Sequence, residues 1–213
     1  NFFINMSFYI IPSPIGNLDD ITMRAISTIK KVNFLVAENK STTQKLLKKF
    51  NLGKKKILVY NDHSRKSDRE NILKHLKLGS TGGIISDAGT PLISDPGYKL
   101  ISNLISNNIN IIPLPGPTAV ITALTGSGFP TDKFQFNGFI PKKNNEFVDL
   151  LHQCSNFSGT SVFYETPHRL IDSLKLIDQI FESKANICIA KELTKLHENF
   201  FRGNAKEILD LFH

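Results

Sequence analysis

"GIISDAGTPLISDPGYKL" spans Gly83 to Leu100. It opens on a short run of strand character, Gly83 to Ser86, and closes on a helical pattern from Tyr98 to Ser106. Between them, Ser86 to Gly97 carries two carboxylates, Asp87 and Asp95, among glycines and prolines that bracket a short apolar core. A strand, a shaped loop and a helix in succession form part of a βαβ unit. Ligands of open parallel sheets sit outside the carboxyl ends of the strands, and this loop lies at such an end.

Working outward, strand-like runs recur at Phe8–Pro12, Phe34–Glu38, Lys56–Tyr60 and Ile109–Pro113. Amphipathic stretches separate them. Asp20 is read as the N-cap of a helix through Lys31 that places Ile21, Ala25, Ile29 and Val32 on one face. Further helices are expected over 41–50 and 68–78. Alternating strands and helices imply an α/β fold with a mostly parallel sheet covered on both faces. The character changes near Pro113 to Pro117, which places an N-terminal α/β domain at 1–115 and a second at 116–213. After a helix through Thr125, strands are expected at 134–139, 161–164 and 186–190, with helices at 146–154, 167–181 and 204–212 and some antiparallel pairing. No internal repeat is visible.

The chain has 213 residues, 40% hydrophobic and 21% charged, with a formal net charge of +7. That composition suits a soluble protein with a full core, and no apolar run approaches the roughly 20 residues a bilayer span needs. No secretory signal is seen, and Met6 reads as a native start with Asn1 to Asn5 upstream of it. Cys154 and Cys188 are expected to be small buried apolar residues in a reducing, cytoplasmic setting. The basic excess fits either a phosphate polymer as partner or drift toward Lys and Asn. His63, His75, His152, His168, His197 and His213 are scattered outside any spaced ligand signature, so no metal is expected.

The ligand loop is not a phosphate loop. It lacks the G-x-x-x-x-G-K-[ST] pattern and has no lysine. Its carboxylates suit a cationic ligand or one rich in donors, such as a sulfonium carrying an ammonium group. Asp87 is assigned to the ligand and Asp95 to capping the helix that starts near Pro96. "PSPIGNLDDITMRA", Pro12 to Ala25, follows the first strand without a dinucleotide fingerprint, and a stiff strand-to-helix turn is its plain alternative. "PLPGPTAVITAL", Pro113 to Leu124, repeats the design of strand, Gly/Pro turn and helix start, where free N–H groups bind anions.

In the second half, "FYETPHRL" groups Glu165, His168 and Arg169 at a strand-to-helix transition, with Pro167 suited to the first helical position. The group is either an acid/base group or an ion pair closing a domain interface. "AKELTKLHENFFRG", Ala190 to Gly203, crowds Lys191, Glu192, Lys195, His197, Glu198 and Arg202 and reads as a charged turn partly buried through Leu193, Leu196 and Phe200.

Taken in order, "IPSPIGNLDDITMRA", "ISDAGTPLISDPG", "PLPGPTA", "FYETPHR" and "KELTKLHE" resemble the small-subunit ribosomal RNA methyltransferase I branch of the tetrapyrrole methylase family, over nearly all of Phe8 to Gly203. The resemblance implies two α/β domains of the tetrapyrrole methylase type, with S-adenosyl-L-methionine in the cleft between them, and a homodimer. It implies methylation of the ribose 2′-hydroxyl of a cytidine in 16S ribosomal RNA of the small ribosomal subunit. It places Pro14 at the cofactor, together with Asp87, Ala88, Gly89, Thr90, Leu92, Ile93 and Ser94, with Thr118 and Ala119 beside them. Tyr164 and Leu193 come from the second domain. Glu38, Glu165, Lys195 and His197 are the candidate bases, and Lys40, Arg169 and Lys195 the candidate RNA contacts.

The chain departs from the branch in one block. "AENKS", Ala37 to Ser41, stands where the branch has "AEDTR", so Asn39 and Ser41 replace an acid and an arginine. Lys191 replaces an arginine in "KELTK". The resemblance also implies a final strand and a small segment after His213, so a shortened second domain or a shortened sequence is expected. A porphyrinoid methylase of the same fold, an RNA-binding relative without catalysis and a nucleotide-binding enzyme remain as alternatives.

Overall fold

The computed structural model describes residues 6–212. Residues 1–5, read as upstream of a start at Met6, and His213 lie outside the described residues. The chain divides into two compact units, Asn1–Thr118 and Ala119–His213.

The first unit runs β1 (Ser7–Ile11), α1 (Met23–Lys31), β2 (Phe34–Ala37), α2 (Lys40–Lys49), β3 (Lys56–Val59), α3 (Lys66–Lys77), β4 (Gly82–Ile85), α4 (Tyr98–Ser106) and β5 (Asn110–Pro113). All five strands are parallel, in the order β3-β2-β4-β1-β5. Side chains alternate along each strand, and the two resulting cores are separate. Phe8, Ile10, Phe34, Val36 and Ile84 pack with α3 and α4 residues such as Ile72, Leu76, Leu100 and Leu104. Ile11, Leu35, Ala37 and Ile85 pack with Ala25 and Ile29 of α1 and Leu47 of α2. The continuous apolar runs of β2 and β4 follow from burial on both faces. Gly82 is part of this packing, because a Cβ there would lie 2.4 Å from the Phe34 ring.

Two cap expectations are corrected. Asp20 does not cap α1. It ends a 3₁₀ turn, Leu18–Asp20, that Asn17 caps, and α1 begins at Met23 behind Thr22, whose side chain accepts the Ala25 N–H at 3.0 Å. The extended Ile21 between the two turns is what drops its side chain into the core. Nor does Asp95 cap α4, whose N-cap is Gly97 at φ +137°. A Cβ on Gly97 would fall 2.4 Å from the Leu92 side chain, so close packing leaves room for glycine alone.

The second unit contains α5 (Ala119–Ser127), β6 (Phe134–Phe139), α6 (Asn144–Ser155), β7 (Thr160–Tyr164), α7 (Pro167–Phe181), β8 (Ile187–Lys191), β9 (Asn199–Gly203) and α8 (Ala205–Leu211). β6 and β7 pair in parallel, while β8 and β9 form an antiparallel hairpin. β9 corrects the reading of Ala190 to Gly203 as a charged turn, and Leu196, expected to help bury it, is instead exposed. Its Phe201 packs in a core with Leu174 and Ile208. Arg202 caps the end of α5 by donating to the carbonyls of Gly126 and Ser127, with its guanidinium 5.0 Å from the centre of the Phe200 ring. Cys154 and Cys188 are free and half-buried rather than fully buried.

Asn39 caps α2, and its Oδ1 accepts the N–H groups of Ser41 at 2.9 Å and Thr42 at 3.3 Å. Asn and Asp are nearly equal in this role. Asn39→Asp is therefore expected to leave stability to chemical denaturation unchanged within a few tenths of a kcal/mol, whereas Asn39→Ala lowers it by about 1 kcal/mol.

Candidate functional site

β1 and β4 are neighbours in the sheet, and the chain leaves them in opposite directions, toward β2 and toward β5. Such a switch point is where open α/β sheets bind ligands. Here the two departing loops are joined. Ser13 and Gly89 exchange backbone hydrogen bonds, Ser13 N–H to Gly89 O at 2.9 Å and Gly89 N–H to Ser13 O at 3.0 Å. The buried Ser13 hydroxyl donates to Ser86 O at 3.0 Å, and the Ser86 hydroxyl to Gly89 O at 2.8 Å. The turn after β5 joins the same surface. Thr90 Oγ1 donates to Pro117 O at 2.9 Å, and Gly116 approaches Pro12 so closely that a Cβ would lie 2.5 Å from it. Pro14, Gly89, Thr90 and Thr118 thus belong to one stitched surface. Asp87, Ala88, Ile93 and Ser94 are exposed on it. Leu92 is half-buried and packs against the core on the α3–α4 face.

Four carboxylates crowd the same edge. Glu38 follows β2, Asp62 follows β3, and Asp87 and Asp95 belong to the loop after β4. Half-burial first, and then the nearby charges of Glu38, Asp87 and Asp62, together push the Asp95 carboxyl up from 3.8 to about 6. No lysine or arginine pairs with any of the four among the described residues. The assignment of Asp95 to a helix cap and of Asp87 alone to the ligand is therefore revised, since both face one negative field. Among the described residues, no group of three or more His, Cys, Asp or Glu is placed to hold a metal ion.

Beside this edge, on the face covered by α1 and α2, lies a cavity of about 480 Å³. Its walls come from Ser13 to Gly16, Ser86 to Ala88 and one side of α2, including Thr42, Lys45, Leu46 and Lys49. Pro14, Asp87 and Ala88 are thus shared between the loop surface and the cavity. Lys40 is exposed at the first turn of α2.

In the second unit, the expected site residues have different surroundings. Glu165 is held on both oxygens. Its Oε1 accepts the Thr166 N–H at 2.7 Å and lies 3.4 Å from Arg169, and its Oε2 accepts the Ser173 hydroxyl at 2.6 Å. Arg169 also donates to Ile140 O at 3.0 Å and Pro141 O at 2.6 Å, which ties the end of β6 to α7. The pair therefore ties elements of the second unit to one another, instead of closing a domain interface as expected. Tyr164 stacks edge-on against Phe136 and Phe139, at 4.9 and 5.3 Å between centroids. Leu193, Lys195 and His197 lie in the β8–β9 turn. Lys195 pairs with Glu192 at 3.2 Å, and His197 is exposed. Ala119 opens α5.

The sequence profile described as Tetrapyrrole (Corrin/Porphyrin) Methylases matches residues 7–209. The chain belongs to the tetrapyrrole methylase family. It is 43% identical over 209 residues to the ribosomal RNA small subunit methyltransferase I of Rickettsia prowazekii, covering 98% of this chain and 74% of that one. It is 43% identical over 205 residues to the protein of the same name from Hydrogenobaculum, covering 96% and 88%. Among solved structures, a cobalt precorrin-4 methyltransferase superposes with a TM-score of 0.67 at 15% identity, covering 97% of this chain and 89% of that one. A diphthine synthase superposes with a TM-score of 0.71 at 9% identity, covering 95% and 84%. At such identities these two structures establish the fold alone.

Against that family pattern, the sequence reading overlooked Asp62 and the inner side of α2. Asp62 was legible by the rule that drew attention to Glu38, a carboxylate just past a strand end. The α2 side was not, because Thr42, Lys45 and Lys49 resemble any solvated helical face until the β1 and β4 loops are seen opposite them. Among the described residues, no helix is long and apolar enough to cross a membrane.

Folded, Asp95 holds its proton more tightly than when unfolded. Its contribution therefore favours the fold most below pH 3.8 and is lost as pH rises through about 6. Asp95→Asn is expected to flatten the pH dependence of the denaturation midpoint across that window. It should also raise stability at neutral pH by about 1 kcal/mol, solvent screening the remainder.

Proposed function

We propose that the protein transfers a methyl group from S-adenosyl-L-methionine to the ribose 2′-hydroxyl of a cytidine in 16S ribosomal RNA of the small ribosomal subunit. The observation that carries this reading is the 43% identity, across almost the whole chain, to relatives named ribosomal RNA small subunit methyltransferase I. The site is compatible with it. A partly buried Asp95 with no cationic partner, flanked by Glu38, Asp62 and Asp87, suits a positively charged ligand, and the Gly89 turn lets backbone approach it closely.

When bound, S-adenosyl-L-methionine supplies an electrophilic methyl on a sulfonium. Asp87 and Asp95 would hold its positive charge, and the backbone from Ala88 to Ser94 with Thr118 would shape the surface around it. Much of the rate then comes from alignment of the ribose oxygen with the methyl carbon. Of the candidate bases, Glu38 is the one that shares the carboxylate field of the loop. Glu165 is committed to Thr166, Ser173 and Arg169, so Glu38 is the better acceptor for the hydroxyl proton. A porphyrinoid substrate is disfavoured, because a carboxylate-rich macrocycle would meet four carboxylates at this edge. A homodimer acting in the cytoplasm completes the reading, and sedimentation velocity tests the dimer.

Labelled S-adenosyl-L-methionine with small subunits lacking the modification is expected to give label at a single cytidine ribose. No incorporation, with cofactor binding intact, would favour the RNA-binding relative. Asp87→Ala should weaken cofactor binding by about tenfold, the scale of one charge contact, and calorimetry giving an unchanged affinity would count against this role. In the wild type that affinity should fall as pH drops through about 6, because protonated Asp95 no longer attracts a cation.

A further inference from the structure

The cavity between the β1 and β4 loops and α2 shares Asp87 with the carboxylate edge but adds a basic wall on α2 that the edge lacks. From Asn39 to Asn61 the chain has seven lysines and no Asp or Glu. Two of them are spent within the fold. Lys55 donates to the carbonyls of Lys30 and Val32 at 2.7 and 2.8 Å, and Lys56 lies 2.9 Å from His75 Nε2. Lys45 and Lys49 are not, and they stand one helical turn apart on the cavity wall with no carboxylate partner among the described residues. Ile15, Leu18 and Leu46 give the same cavity an apolar surface, and Thr42 adds a hydroxyl. Its volume of about 480 Å³ lies in the range of ligand pockets.

We infer that this cavity is a binding site for one unstacked nucleotide of the substrate RNA, with the phosphate at Lys45 and Lys49 and the base against Ile15, Leu18 and Leu46. The inference rests on the RNA methylation reading above. Four features select this occupant. Two unpaired ammonium groups at i, i+4 spacing attract phosphate and repel a sulfonium. An apolar recess beside them accepts the faces of a base. A recess of this size admits a single splayed nucleotide and excludes a duplex, which is how proteins read unpaired RNA. Finally, Ser86 to Ala88 form both the cavity wall and the start of the cofactor loop, so a nucleotide seated here brings its ribose, or its neighbour's, beside the methyl donor. The opposite signs of the two sites keep the ligands sorted, phosphate on α2 and cation on the carboxylates.

The test uses the full chain, a fluorescent single-stranded RNA of the decoding-region sequence, and small subunits lacking the modification. The double substitution Lys45→Gln/Lys49→Gln should weaken RNA binding by about tenfold and flatten its salt slope by about 0.7, the share of one single-strand phosphate. Lys45→Arg/Lys49→Arg should retain binding. Lys74→Gln/Lys77→Gln, on α3 across the sheet, removes equal charge and should change neither quantity. Thr42→Tyr, which fills the recess without removing charge, should raise KM for the subunit about tenfold with cofactor affinity unchanged. Equal losses from the α2 and α3 pairs would reduce the effect to net charge and overturn the site, as would an unaltered KM for Thr42→Tyr. A wild type that binds RNA and cofactor but transfers no methyl would refute the catalytic reading. The RNA affinities of the α2, α3 and Thr42→Tyr variants would then decide the site by themselves.

Discussion

The backbone bridge between Ser13 and Gly89 is the constraint on which the rest of this site depends. A parallel sheet gives its strands no direct contact beyond their carboxyl ends, and loops leaving β1 and β4 in opposite directions would ordinarily part there. Two reciprocal hydrogen bonds of 2.9 and 3.0 Å prevent it. The Ser13 hydroxyl turns inward to Ser86 O, and the Ser86 hydroxyl adds a second donor to Gly89 O, so both buried hydroxyls are paired at the bridge. Once joined, the loops act as one wall. Thr90 and Gly116 bring the β5 turn up to one side of it, while α2 stands off on the other and leaves the cavity.

That wall separates two electrostatic environments within one small α/β unit. Carboxylates from the ends of β2 and β3 and from the β4 loop converge on its upper edge, at a cost visible in the raised affinity of Asp95 for its proton. Unpaired lysines line the cavity on the α2 side. Neither field is neutralised internally, so each is available to a ligand of opposite sign. The net charge of +7 says nothing of this, because it sums a local acidic edge with a basic helix.

Periodicity made most of the fold legible. Each strand of the first unit is a short apolar run, and each helix carries a stripe that reaches one of two cores, as Ile29 and Leu104 do. What stayed hidden were choices between equivalent local options. Asp20 and Thr22 are both good caps, and the burial of Ile21 decides for Thr22. β9 was obscured because Arg202 and Glu198 read as solvent-facing, although Arg202 is bound to the end of α5 across 75 residues of chain. The site divided the same way. The loops after β1, β4 and β5 announced themselves through Gly and Pro, whereas the pairing of Glu165 with Arg169 and Ser173 took a folded helix to separate packing from chemistry.

The replacement of an acid by Asn39 and of an arginine by Ser41 shows why such separation matters. Viewed as sequence, "AENKS" loses an acid and an arginine and gains Lys40 against the block it resembles. In the fold, position 39 must first accept two N–H groups at the start of α2, and an amide oxygen does this as well as a carboxylate. The charged residues of α2 itself are all lysines. The loop itself sets the limit on further change. Leu92 and Ser94 hold φ values of +76° and +60°, which only Gly adopts readily. Conformations of that kind cost about 1 to 3 kcal/mol each and persist where the surroundings over-determine them. Here the surroundings are the Ser13–Gly89 bridge and the packing of Leu92 beside Gly97. A change that loosens the bridge would let the loop relax first, so damage to the loop surface should precede loss of the fold.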